Sequence, residues 1–178
     1  VLIGNGSVTN AGTWNVAGTT RLVPGGTLTQ NATGTTGVLD MVGGVRAGSG
    51  LLNVTGSMAW SSGDLNGGGG LTRVAVGATL VMSGPTARTI NAQTLEIAGI
   101  GVWFESATIN TGGAGTLRVA ATGSLEIQAD PTFTFSQGGT PSLFQNLGAV
   151  LRSVSTGIVT INAPITNAGS FTIQTGIV

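Results

Sequence analysis

Six carboxylates and six guanidinium groups are the only charged side chains in this chain, and they limit what it can catalyse. The acids are Asp40, Asp64, Glu96, Glu105, Glu126 and Asp130, and every base is an arginine. Glu96 and Glu126 stand in identical Leu-Glu-Ile settings thirty residues apart, with Arg88 and Arg118 eight residues before them. Stacked in a repeat, such a pair would bring two carboxylates together beside a cation. Polysaccharide hydrolases and lyases use that arrangement for general acid and base work. The same spacing fits a solvated Arg/Glu ladder on an outer face, which is the expected reading, and it also fits an adventitious cation site. There is no histidine, so no ordinary Ser-His relay is available.

Other candidate chemistry is sparse. Calcium-binding glycine-rich repeats carry an Asp in every repeat. Here only Asp64-Leu65-Asn66, ahead of the glycines at 67–70, echoes them, and a plain turn is expected. A flat Thr-x-Thr ladder would suit ice or crystal binding. Thr27-Leu28-Thr29 and Thr132-Phe133-Thr134 fit, but most repeats lack the pair. Trp14, Trp60, Trp103 and Phe104 could stack on sugars, although core filling is the expected role. Asn5-Gly6-Ser7, Asn31-Ala32-Thr33 and Asn53-Val54-Thr55 match glycosylation acceptors, as a chain this rich in Asn and Thr would by composition alone. The expectation is therefore no catalytic residue, no metal, no cofactor and no enzyme activity.

The elements that must position these groups announce themselves by repetition. Gly12-Thr13-Trp14, Gly37-Val38-Leu39, Gly56-Ser57-Met58, Gly123-Ser124-Leu125, Gly148-Ala149-Val150 and Gly169-Ser170-Phe171 share a Gly-x-apolar motif. Gly77-Ala78-Thr79-Leu80 and Gly101-Val102-Trp103 fill the gap. The motif returns about every 22 residues, and a fixed period of that size marks a repeat architecture. Between copies lie runs such as 94–97, 124–127 and 170–173, in which apolar residues sit two apart, as on a strand with one face inward. Turn residues separate them, among them Pro24-Gly25-Gly26 and Asp130-Pro131. Three strands and three turns make one coil. Eight coils at the inter-strand spacing would make a rod roughly 38 Å long. An antiparallel sandwich is the competitor, but it does not require one motif at every third strand. Residues 117–127 also align with 151–161. Arg118, Arg152, Arg73 and Arg21 each precede, by seven positions, an apolar residue expected to point inward: Leu125, Val159, Leu80 and Leu28.

Composition narrows the partners. Charged residues make up 7% of the chain, against ~25% in an average soluble domain. Net charge is zero and the arginines are scattered, so a nucleic-acid partner is not expected. No apolar run approaches the ~18 residues of a membrane-spanning helix, and none reaches the ~9–11 of an outer-membrane strand. With no cysteine, no disulfide framework is available, which is compatible with an oxidising exterior.

Asn10-Ala11-Gly12-Thr13, Asn146-Leu147-Gly148 and Asn167-Ala168-Gly169-Ser170 resemble the Asn-x-Gly-Thr repeats of very long secreted bacterial proteins. The order of Gly68-Gly69-Gly70-Leu71, Gly77-Ala78-Thr79-Leu80, Phe144-Gln145-Asn146 and Thr166-Asn167-Ala168-Gly169 is similar to theirs across roughly residues 50–178. Those proteins are similar to the β-helical passengers of autotransporter and filamentous-haemagglutinin-like adhesins. The resemblance implies a right-handed parallel β-helix, export and a surface role, and it carries no catalytic residue to transfer. The expectation is an all-β, right-handed parallel β-helix of about eight rungs of roughly 22 residues. Residues 1–178 are expected to form a single β-solenoid, part of a longer repeat protein or fibre. Its function would be a non-catalytic extracellular structural or adhesive rod, secreted or at the cell surface. Further copies or repeats would stack on it head to tail, and surface glycans are conceivable ligands. The alternative is a glycan-binding or polysaccharide-processing module on the same fold.

Overall fold

The computed structural model describes all 178 residues, as strands, turns and bends without helix. They form one 20-stranded sheet in which every strand pairing is parallel. The chain is a β-solenoid of about eight turns. Parallel pairing throughout excludes the antiparallel sandwich. In each coil the chain lays down three short strands and so builds three faces. Leu71–Val74, Thr94–Ile97, Thr116–Val119, Leu143–Asn146 and Ile165–Asn167 belong to the first face. Thr79–Met82, Ile100–Trp103, Ser124–Ile127, Ala149–Arg152 and Ser170–Ile173 belong to the second. Arg88–Asn91, Ile109–Gly112, Thr132–Phe135 and Thr160–Asn162 belong to the third. Earlier in the chain the corners are so short that Gly34–Ala47 and Leu51–Asn66 each run unbroken around all three faces.

The period is less even than the motif suggests. The outward row along the middle of the second face reads Leu2, Arg21, Asp40, Ala59, Val81, Val102, Glu126, Leu151 and Thr172. Its first four members follow one another every 19 residues, and the later steps run from 21 to 25. The added residues lie largely in the turn from second to third face, at 83–87, 104–108 and 153–159.

Inward residues form columns because each coil repeats the in/out alternation of the one below. One column of the second face runs Thr20, Leu39, Met58, Leu80, Gly101, Leu125, Val150, Phe171. Six of the eight residues following the motif glycine are in it, while Trp14 and Trp103 are not. Trp103 sits two residues further along, stacked between Met82 and Ile127, and the true motif copy in that coil is Gly99-Ile100-Gly101. Trp14 lies on the first face beside Gly34 and is half-buried. All the columns merge into one contiguous core of 27 buried apolar residues.

The motif glycine has a steric cause. A Cβ on Gly123 would lie 2.0 Å from the carbonyl oxygen of Ile97 in the preceding coil, and Gly37, Gly99, Gly148 and Gly169 meet the coil beneath them just as closely. The coil can tuck against its neighbour at this corner only where no side chain intervenes.

Candidate functional site

The strongest constellation of charged groups is a ladder on the first face. Parallel, in-register pairing places residues from successive coils one strand spacing apart, ~4.8 Å, and the outward middle position of this face reads Arg73, Glu96, Arg118, Gln145. Arg73 Nε donates to Glu96 Oε1 at 2.6 Å, Arg118 Nη1 donates to Glu96 Oε2 at 3.1 Å, and Arg118 Nε donates to Gln145 Oε1 at 2.7 Å. Glu96 is thus clamped from both sides, and its side chain is only 9% exposed. Both its oxygens are occupied, so it is placed to bridge coils rather than to act on a substrate.

Glu126 is not part of this ladder. It lies on the second face between Val102 and Leu151, so the two Leu-Glu-Ile segments belong to different faces and their carboxylates do not stack. Hydrogen bonds from Ser153, at 2.6 Å, and from Gln128 hold the Glu126 carboxyl below the ordinary carboxylate range. It remains ionised at neutral pH and has no proton to donate as a general acid. The alignment of 117–127 with 151–161 fails for the same reason. Leu117-Arg118-Val119 lies on the first face with its arginine outward, whereas Leu151-Arg152 lies on the second with its arginine inward. Leu28, Leu80, Leu125 and Val159 are nonetheless all buried, as expected.

The structure also overturns the placing of Arg88 on an outer face. Arg46, Arg88 and Arg152 are fully buried in the coil interior. Arg88 Nε donates to the Trp60 carbonyl at 2.9 Å, its Nη2 donates to the carbonyls of Ser83 and Gly84, and its guanidinium lies 5.8 Å from the Trp60 ring centroid. Arg152 donates to the carbonyl of Ile127 and to Asp130. Both arginines therefore fasten the long turn between second and third faces. Arg46 fastens the corner between third and first faces: it donates to the carbonyls of Gly48, Gly50 (2.6 Å) and Leu71 (3.1 Å) and to Gln93. Gln93, itself buried, donates in turn to the carbonyls of Gly48 and Gly67. Parity could have exposed two of the three, since Arg88 stands two residues from the inward Ile90 and Arg152 two from the inward Val150.

Burial pushes the guanidinium of Arg46 down from the ordinary arginine range to about 10. The same cause brings Arg88 to about 10, against the opposing field of Glu105. Both remain cations at neutral pH. From about 10 up to the ordinary arginine range the unfolded chain holds protons that the folded chain has released, so these two groups contribute rising stability with pH there. Replacing Arg46 by Met keeps much of the volume but takes a donor from the Leu71 carbonyl and from Gln93 Oε1, while the Gly48 carbonyl keeps Gln93 Nε2 and the Gly50 carbonyl keeps the Leu71 amide. At about 1–3 kcal/mol for each buried polar group left unsatisfied, offset by relief of charge burial, a net loss of about 3 kcal/mol is expected. Urea unfolding checks it, and Arg46→Met combined with Gln93→Leu should recover part of the loss.

The remaining candidates are dispersed. Asp64 and Asn66 face outward on the third face, where the strand neighbours of Asp64 are Val45 and Thr89. No three of the His, Cys, Asp and Glu side chains converge as a metal site would require. The row through Thr27 continues as Val45, Asp64, Thr89, Asn110 and Thr134, so the two Thr-x-Thr pairs share a face without forming a ladder. Trp60 and Trp103 are core residues, whereas Phe104, expected inside, is 56% exposed. No pocket opens on the surface, and no helix is long and apolar enough to cross a membrane. The chain matches no protein-family model, no curated protein and no solved structure.

Proposed function

We propose that this chain is a non-catalytic structural rod, a spacer or adhesive segment of a secreted or cell-surface protein of bacterial type, whose contribution is stiff length. The observation that carries this reading is the filled, unbroken core: apolar columns run from coil to coil, and each added coil extends the rod by one strand spacing. Further copies or repeats stacked head to tail are the partners that suit such a rod. Ile165 continues the inward column of Leu117 and Phe144, and Ile173 continues that of Ile127 and Arg152. Both are about half exposed, at 46% and 50%. A second copy stacked on this rung would cover both and pair the strand edges. Carboxylates or tryptophans gathered on one open face would favour a glycan-processing module. Here Glu96 and Glu126 are on different faces, and Trp60 and Trp103 are buried.

Electron microscopy of the 178-residue chain at high concentration tests the axial partner. Fibres growing along the coil axis are expected, and dispersed single rods would restrict axial stacking to coils of the same chain. A reducing-sugar assay against acidic and neutral polysaccharides tests the absence of catalysis. Cleavage by the parent that disappears in Glu96→Gln/Glu126→Gln would overturn the rod as the whole function.

A further inference from the structure

The three faces differ in what they show to solvent. The middle outward row of the first face is polar or charged, as in Asn53, Arg73, Glu96 and Arg118, and its neighbouring row mixes half-buried Leu51, Leu71 and Leu143 with Thr94 and Thr116, while outward positions of the third face are mostly Thr, Asn and Ser. The second face is apolar along its middle. Val81 is 39% exposed and Ile100 55%, Val102 is half-exposed between them, and Val76 and Phe104 stand exposed in the turns on either side. An apolar strip this exposed on the side of a rod marks an interaction surface.

The charges bordering this strip select its occupant. The middle row of the face carries Arg21 two rungs before Ala59 and Glu126 two rungs after Val81. The two charges are opposite in sign and equidistant from the point midway between Ala59 and Val81. A twofold axis through that point, perpendicular to the rod and lying in the interface, turns the row onto itself in reverse. We infer that the second face pairs with a second copy of this chain, antiparallel, so that Arg21 meets the partner's Glu126 and Ala59 meets the partner's Val81.

The neighbouring row agrees with this axis. It reads Thr19, Val38, Ser57, Thr79, Ile100 and Ser124, so the same rotation sets Val38 against the partner's Ile100. Asp40 faces the partner's Val102 and keeps its 3.2 Å contact with Arg21. A shift of one rung one way sets Asp40 against the partner's Glu126, two like charges, and one rung the other way sets Arg21 against the partner's Val102 and Glu126 against the partner's Leu2. Parallel packing sets Arg21 level with the partner's Arg21 and Glu126 level with the partner's Glu126. The antiparallel register is the one that matches opposite charges and apolar strip together. Such a contact is isologous and closes at two chains, unlike axial stacking, which is open-ended.

This pairing adds a lateral partner to the rod and rests on that reading. Sedimentation velocity separates the two, because a chain that stays single loses the pairing and leaves the rod standing. The parent is expected to sediment as a dimer whose fraction rises with concentration. Val81→Glu should raise the dissociation constant at least a hundred-fold, with an unchanged melting temperature showing that the coil is intact. Glu126→Arg should weaken the dimer at least ten-fold, and Arg21→Glu in the same chain should recover it. The chain has no cysteine, so Asp40→Cys and Val102→Cys can be prepared separately, mixed and treated with a short bismaleimide. Cross-linking between the two variants, and not within either alone, is the expected result. A parent that is monomeric at every concentration, a dimer indifferent to Val81→Glu, or cross-links joining like to like would each overturn the proposal.

Discussion

Leu125→Asp is expected to unfold the coils on either side of it. Leu125 is fully buried, with Gly101 before it and Val150 after it in the inward column. Removing the leucyl contacts costs about 2–5 kcal/mol, and a lone carboxylate with no partner in an apolar column adds several more or forces its own protonation. A domain with a net stability of about 5–15 kcal/mol does not absorb that loss. Circular dichroism should show a melting temperature lowered by many degrees, or loss of the cooperative transition. Leu125→Met, which nearly conserves volume, should cost less than about 1.5 kcal/mol. If the Asp variant melts with the parent, the column does not face inward.

Gly123→Ala is the second large effect, and its sign runs against the ordinary rule. Where the backbone tolerates alanine, the change stabilises by about 0.4–1 kcal/mol through the unfolded state. At Gly123 the new Cβ would sit 2.0 Å from the Ile97 oxygen and 2.9 Å from its carbonyl carbon, both backbone atoms held in the sheet. The coil must move apart from its neighbour, at about 3 kcal/mol or more, the upper end of overpacking costs. Gly12 occupies the same place in the sequence motif, but its Cβ would meet nothing within 4 Å. Gly12→Ala should therefore be neutral or slightly stabilising. Denaturant titration of the two variants side by side separates a steric role for the glycine from a purely local turn preference. Equal effects would remove the steric account.

The sequence by itself determined the class of fold, because two local signals agree. Alternation in runs such as Leu95-Glu96-Ile97 sets which side of a strand faces inward, and recurrence of Gly-x-apolar sets how strands stack. Burial of Leu39, Met58, Leu80, Leu125 and Val150 followed from those two signals alone. What only the tertiary structure decided was register. The coil shortens to 19 residues early and lengthens to 25 later, so a fixed period drifts and sets Trp103 in the position that Gly101 holds. Glu96 and Glu126 looked equivalent because three strands of one coil share one local polarity, and nothing local says which face a strand belongs to. Arg46 shows the limit most clearly. Leu39 and Met41 point inward at odd numbers, and simple alternation would send Arg46 out. Gly44, at φ 69°, lies at the corner where the register shifts between Val42 and Val45, and the inward set moves to even numbers. The guanidinium then enters the core, where backbone carbonyls from two coils and the amide of Gln93 receive it. A buried cation needs acceptors already fixed in space, and here only the stacked coils bring them together.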